Sequence, residues 1–250
     1  MALVRAASWN ELHSTDHNHP FRFRLRKQTE DGSSTTKEIV ETREGDVARL
    51  IAVNDQPLSP SRASAEKARL DNLMAHPELQ AHRHKQEEAD STRSNEMIRL
   101  LPDAFIYTYL GLVSTPDGPA WRLSFQPNSR FLPPDRQAQV YHGMAGELWI
   151  NCRDTRMAEL DAHLISDVDF GWGVIGRLFK GGTIQVIQRS VGTPQEAHWE
   201  TTRLALNLTG KILMFHSISF KSVEDSSEFK PVTPGMSYQD AIRLLEGLHD

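Results

Sequence analysis

The sequence predicts an α+β fold built on an antiparallel β-sheet. Segments that alternate apolar and polar residues recur along most of the 250-residue chain, and short turns join most of them. Strands and helices do not alternate in the way that a parallel sheet requires. An amphipathic segment near the end supplies a helix that can cover the sheet. An antiparallel sheet with one apolar face must be covered by helices or close toward a barrel.

Residues 3–53 predict a short helix and then a meander of three strands. The segment 21–26 alternates Phe and Leu with Arg, so that three apolar side chains share one face and three arginines share the other. Turn-forming residues then separate two further strands, 35–43 and 47–53. Connections this short join antiparallel strands.

Residues 57–101 interrupt the strands as a helical insertion. Ser59 followed by Pro60 is typical of a helix N-cap and first helical residue, and the composition then shifts to Ala, Glu, Lys, Arg and Gln. The stretch 80–95 has almost no apolar residue. We expect a solvated helical hairpin, and a surface on the 60–100 arm that docks a protein partner is the alternative interpretation.

Beyond Pro102 the alternation returns and continues almost to the end of the chain. Strands are predicted at 104–113, 121–125, 144–152, 157–164, 183–191, 199–208 and 211–223. Ser237 predicts an N-cap, and the residues that follow have the spacing of an amphipathic helix: Ala241, Leu244, Leu245 and Leu248. We interpret residues 1–250 as a single domain that includes the insertion.

Composition excludes several classes of function. The net charge is −5 at pH 7 and neither half of the chain is basic, so we expect no nucleic acid as partner. The single cysteine, Cys152, excludes an internal disulfide and a cysteine-cluster zinc site. No apolar run reaches the roughly 18 residues of a membrane span. Because the start lacks the apolar region of a signal peptide, we expect either a cytoplasmic protein or a mature form whose leader has been removed.

Few residue clusters point to catalysis. Three histidines and an aspartate lie close together after the first helix, and zinc accepts such ligands, although their spacing matches no metal motif: His13, Asp16, His17 and His19. We interpret His216 as a hydrogen-bonded core histidine and Cys152 as a small buried residue. We therefore expect no catalytic site, no metal and no cofactor. A metal-dependent hydrolase that uses these histidines is the alternative.

The stretch from Gly146 to Val232 resembles a known family. It begins Gly-Glu-Leu-Trp-Ile-Asn, continues through an Arg-Asp-Thr-Arg turn and a glycine-rich segment at 170–182, and reaches a Leu-Thr-Gly-Lys turn at 208–211. These motifs are similar to those of the outer-membrane lipoprotein-sorting proteins, with the lipoprotein carrier and receptor fold. The resemblance implies a strongly curved sheet that forms an incomplete barrel, helices that plug its open side, and an apolar cavity for acyl chains.

The resemblance and the alternation together give a candidate site. Burial of an acyl chain contributes about 0.8 kcal/mol for each CH₂ group, so binding needs no catalytic side chain. We expect a non-catalytic protein of the periplasm or cell envelope, acting near the outer membrane, that binds a lipid or an acylated protein. The residues predicted to line the cavity are Leu148, Ile150, Leu160, Leu164, Leu204, Leu206, Ile212, Met214, Ile218 and Phe220, with Trp121 and Trp172 at its rim.

Overall fold

The fold is α+β, as the sequence predicts. The computed structural model describes residues 2–14, 16–170, 176–193, 196–212 and 216–248. Two short 3-10 helices lie at Asp16–Asn18 and Gln137–Gly143. The α-helices are Ala2–Leu12 (α1), Pro60–Ala75 (α2), Pro77–Ala104 (α3) and Tyr238–Gly247 (α4). None of the helices in these ranges is both long and apolar enough to cross a membrane.

The strands form one antiparallel sheet that is not closed into a barrel. Their bounds are Phe21–Thr29 (β1), Ser34–Val40 (β2), Val47–Val53 (β3), Gln56–Pro57 (β4), Phe105–Thr115 (β5), Gly118–Pro127 (β6), Met144–Asn151 (β7), Met157–Leu164 (β8), Val168–Phe170 (β9), Gly176–Leu178 (β10), Thr183–Thr193 (β11), Glu196–Ile212 (β12) and His216–Pro231 (β13). The hydrogen-bonded order is β4-β3-β2-β1-β13-β12-β11-β8-β7-β6-β5, with β10 between β12 and β9. The antiparallel sheet and the helical insertion are thus confirmed.

The structure contains more strands than the sequence indicates. β4 has two residues, and β9 and β10 have three each. Alternation cannot be recognised over two or three residues, because the pattern needs about four to eight. Contacts also divide the chain into two compact units. Unit 1 is Met1–Ser14, Asn95–Ser190 and Trp199–Val223, and unit 2 is Thr15–Ser94, Val191–His198 and Glu224–Asp250. A single domain over 1–250 stays a prediction.

The core of unit 1 lies on one face of strands β5 to β8. Residues that oppose each other in antiparallel neighbours point to the same face, so Leu123, Leu148 and Leu160 form a row across three strands. Helix α1 packs Val4 and Ala7 onto this cluster, and both are fully buried. The opposite face carries a polar row: Ser124, Glu147 and Asp161. The predicted alternation of these strands is therefore confirmed.

A buried ion pair holds helix α1 against the β7–β8 turn. The Arg156 guanidinium donates from Nε and Nη2 to the two carboxylate oxygens of Glu11, at 3.0 and 2.9 Å. The Met157 N–H donates to Glu11 Oε1 at 2.8 Å. Asn10 Nδ2 also donates to the carbonyl of Thr155, at 3.2 Å. A carboxylate bonded on this many sides is costly to leave without its partner, so the pair fixes the end of the helix.

The core of unit 2 contains the first helix of the insertion. Leu70 and Leu73 of α2 pack against α4 and against Val40 and Val47 of the sheet. Glu66, also on α2, accepts the N–H of Leu50 in β3 at 2.8 Å. Helix α2 is thus anchored rather than solvated, because a short apolar stripe and one carboxylate attach it to the sheet. Most of residues 81–96 in α3 are exposed, as the sequence predicts.

Replacement of Leu70 by Ala tests the anchoring of α2. Leu70 is fully buried, so Leu70→Ala should lower the free energy of unfolding by about 2–5 kcal/mol through lost burial and a residual cavity. The matched control is Leu79→Ala, because Leu79 is exposed at the start of α3 and its truncation should cost under about 0.5 kcal/mol. Urea denaturation followed by circular dichroism measures both. Equal effects of the two changes would show that α2 is not part of the core.

Candidate functional site

The apolar residues predicted to line a cavity differ widely in exposure. Those in the centre of the unit 1 core are Leu148, Ile150 and Leu164. Half-buried residues are Trp121, Leu160, Leu204, Leu206 and Ile218. The exposed residues are Ile212 and Phe220. Met214 and Trp172 lie outside the described residues. As lining of a ligand site, the whole set stays a prediction.

The sheet face that carries the core of unit 1 becomes exposed toward β5, the strand at the edge of the sheet. Ile150, Trp121 and Leu112 oppose each other across β7, β6 and β5, so their side chains point to the same face. Ile150 is fully buried, Trp121 is half-buried and Leu112 is 64% exposed. Tyr109, which opposes the buried Leu123, is 58% exposed. We call Tyr109, Leu112 and Trp121 the apolar margin.

The two strands that carry the apolar margin have almost no charged residues. Strand β5 contains no charged residue, and Arg122 is the one charged residue of β6. Arg122 follows Trp121 in the strand and therefore points to the opposite face. There its guanidinium donates to the carboxylate of Glu147 at 2.6 and 2.8 Å. Two aromatic rings and an aliphatic side chain beside a filled core suit an aliphatic ligand rather than a charged one.

Unit 2 contains a polar cavity that the sequence analysis did not identify. Its volume is about 560 Å³. The wall is formed by the segment before β1, by the β2–β3 turn and by the segment before α4: Asn18, Pro20, Glu41, Thr42, Arg43, Asp46, Pro234 and Gly235. The signal available in the sequence was the turn 41–46, which places three carboxylates between Val40 and Val47, and both valines are fully buried in the structure. Carboxylates so close to buried positions lose part of their hydration.

Two carboxyl groups in this wall hold their protons more tightly than usual. Burial raises the pKa of Asp46 to about 7, and the negative charges of Glu41 and Glu87 add to the effect while Arg83 opposes it. Burial also raises the pKa of Glu41, although the N–H of Phe21 donates to its Oε2 at 2.7 Å. The cavity therefore combines polar walls with a carboxyl group that titrates near neutral pH.

Helix α3 approaches the β2–β3 turn very closely. Gln80 Nε2 donates to the carbonyls of Glu44 and Gly45 at 2.9 and 3.1 Å. Gly45 has a φ of +94°, and a Cβ there would lie 2.6 Å from Glu87 Oε2 and 3.0 Å from His84 Cβ. Glycine is required at this position, because any side chain would push the helix away. The close approach brings Glu87 toward Asp46, whose N–H donates to Glu87 Oε2 at 3.0 Å.

The described side chains of the histidine-rich segment do not converge on the metal site considered above. The His13 ring stacks on the ring of Trp9. Asp16 Oδ1 lies 3.0 Å from His198 Nδ1, and the His198 ring stacks on His19 with 4.1 Å between centroids. The side chain of His17 lies outside the described part of the chain. Among the side chains that are described, no group of three or more His, Cys, Asp or Glu residues is arranged to hold a metal.

Two isolated candidates also differ from expectation. His216 is exposed, so the predicted core position is wrong. It is the first residue of β13, where the strand has not yet reached half-buried positions such as Ile218. Cys152 is half-buried rather than buried, and it follows the last residue of β7. Alternation alone placed both residues inside, because it does not show where a sheet face ceases to be covered.

The raised pKa of Asp46 predicts a specific pH dependence. The pKa is about 7 in the folded protein and about 3.9 in an unfolded chain, so the folded state binds this proton more tightly. Its contribution to stability is complete below about pH 4 and is lost as the pH rises through 7. Urea denaturation between pH 5 and 8 should show stability falling with pH, and Asp46→Asn should flatten this slope.

The matched control is Asp55→Asn. Hydrogen bonds from the Arg26 guanidinium hold the pKa of Asp55 below its usual value, so Asp55 is ionised in both states between pH 5 and 8. Its replacement should change the stability without changing the slope. An Asp46→Asn protein with the wild-type slope would contradict the assignment.

Comparisons with known proteins do not assign a family. No family model matches the chain, and no curated protein matches it. Among solved structures, it is similar to a LolA superfamily protein from Nitrosomonas europaea (12% identity, 93% of each chain, TM-score 0.29). It is also similar to a DUF1329 family protein from Desulfovibrio piger (12% identity, 96% of this chain and 98% of that chain, TM-score 0.30). A third similar structure is MucB in complex with MucA(peri) (10% identity, 92% of this chain and 99% of that chain, TM-score 0.25). TM-scores this low carry no argument, so function is argued from the site itself.

Proposed function

We propose that the protein is a non-catalytic binding protein that holds a lipid or another acyl-chain ligand on the apolar margin of unit 1. The observation that carries the proposal is the exposure of Tyr109 and Leu112 on the same sheet face as the buried core. A contiguous apolar area next to a core is disfavoured in water, and such areas mark ligand or partner surfaces in soluble proteins.

The binding energy comes from removing apolar surface from water. About ten methylene groups buried against the margin contribute roughly 8 kcal/mol before the cost of ordering the chain. Trp121 and Tyr109 offer flat ring faces, and the buried Ile150 forms the floor beside Trp121. The ligand's polar end stays in water, so the site needs no charged group.

The other predicted lining residues belong to the same proposal. Leu204 and Leu206 are half-buried on β12, and Ile212 and Phe220 lie exposed on β12 and β13. We propose these residues as a second apolar surface of unit 1, separated from the apolar margin by the strands between β12 and β5. A role in the periplasm or cell envelope, with a lipid or an acylated protein as partner, completes the proposal.

Neither alternative from the sequence has a comparable observation in its favour. The described histidine and carboxylate side chains do not converge on a metal site. In the 60–100 arm, α2 contributes Leu70 and Leu73 to the unit 2 core, and the exposed stretch 81–96 of α3 offers mostly polar side chains rather than an apolar area like the margin.

Replacement of Leu112 by Ser tests the proposed site. A fluorescent fatty acid, dansyl-undecanoic acid, should bind the wild type and take energy from its tryptophans. Leu112→Ser should weaken binding about fivefold to tenfold, or roughly 1–1.4 kcal/mol, because an aliphatic side chain is lost from the contact. The measurement is a fluorescence titration at constant protein concentration.

Leu132→Ser provides the matched control. Leu132 is 86% exposed and belongs to the segment between β6 and β7 rather than to a strand of the margin. Its replacement changes the same chemical groups and should leave the affinity unchanged. Equal losses in the two variants, or no binding by the wild type, would contradict the proposal.

A further inference from the structure

Strand β5 ends the sheet and has a free edge. It pairs with β6 on one side, and no other described strand pairs with it. The strand has 11 residues, Phe105–Thr115, and the backbone groups along its outer edge point away from β6. A row of unpaired N–H and C=O groups is a template for another strand.

The edge lacks most of the features that normally prevent pairing. Proteins protect such edges by keeping them short or by placing lysine or proline on them. The opposite end of the sheet follows this rule, because β4 has only two exposed residues and one of them is Pro57. Strand β5 has neither charge nor proline, and most of its side chains are aromatic, β-branched or aliphatic. Such residues favour cross-strand pairs.

Both faces of β5 leave apolar side chains in water. Ile106 is 57% exposed on the face opposite the apolar margin, and Leu110 is 48% exposed. Leu110 lies at a bulge, because the register shifts between Tyr109 and Gly111. The bulge bends the strand but leaves regular segments on both sides of it, at 105–109 and 111–115. A second strand would cover Ile106 and Leu110 from the side.

We propose that the free edge of β5 pairs with β5 of a second copy of this chain, which joins two sheets into one across a two-fold axis. The absence of charge favours this occupant over a charged peptide. Arg122, the one charge on β6, is already neutralised by Glu147, so the edge offers nothing that would attract an acidic or a basic peptide. An identical antiparallel strand meets it without like-charge repulsion, and a two-fold interface is self-complementary.

The test is the mass of the protein in solution without any acyl ligand. Analytical ultracentrifugation should give twice the 28.3 kDa of the chain at roughly 100 μM, with dissociation on dilution. Thr108→Lys should produce a monomer, because Thr108 is exposed on this edge strand and a lysine there opposes pairing. Thr108→Val keeps the edge neutral and should remain dimeric.

A second lysine variant locates the interface. Gln56→Lys places the same charge on the opposite end of the sheet, at β4, and should leave the dimer intact. Hydrogen exchange should also protect the amides of 105–115 in the wild type more than in Thr108→Lys, while circular dichroism of the two stays the same. A wild type that is monomeric at this concentration, or dissociation by Gln56→Lys as well, would overturn the proposal. Because no ligand is present, this result is independent of acyl-chain binding.

Discussion

A sheet with one apolar face must keep that face out of water, and this requirement explains where the helices of the protein lie. In unit 1, α1 covers the face formed by β5 to β8 and is held there by the ion pair between Glu11 and Arg156. In unit 2, α2 and α4 cover β2 and β3. The cover in unit 1 is incomplete at β5, because Phe105 at the start of the strand is buried while Tyr109 and Leu112 remain exposed. The candidate ligand surface is thus the part of an apolar face that the chain itself does not cover.

The polar cavity of unit 2 lies beside the contacts between its helices and its sheet. Where these elements meet, backbone groups need partners. Glu66 accepts the N–H of Leu50, and Glu44 accepts the N–H of Tyr238. Around the β2–β3 turn Asp46 is buried beside other carboxylates, so its pKa rises mainly through burial and further through the charges of Glu41 and Glu87. The wall of the cavity thus includes one carboxyl group that titrates near neutral pH.

The sequence predicts the parts of this structure that depend on local pattern. Strands β7 and β8 could be predicted because apolar residues recur at every second position, as at Leu148 and Ile150, and both of these are buried. The exposure of Leu112 could not be predicted in this way, because it depends on how far a helix from another part of the chain extends. The pKa of Asp46 depends on Glu87, which lies on a different element. Alternation shows which face is apolar, but only tertiary contacts decide how much of that face is covered.

Photo-crosslinking tests most directly whether the uncovered part of this face holds an acyl chain. A fatty acid with a diazirine near its methyl end is irradiated with the protein, and the adducts are located by mass spectrometry of the peptides. The account predicts adducts within 109–112 and at Trp121 that an excess of unlabelled fatty acid suppresses. Adducts confined to other segments, or labelling that the competitor does not reduce, would contradict it.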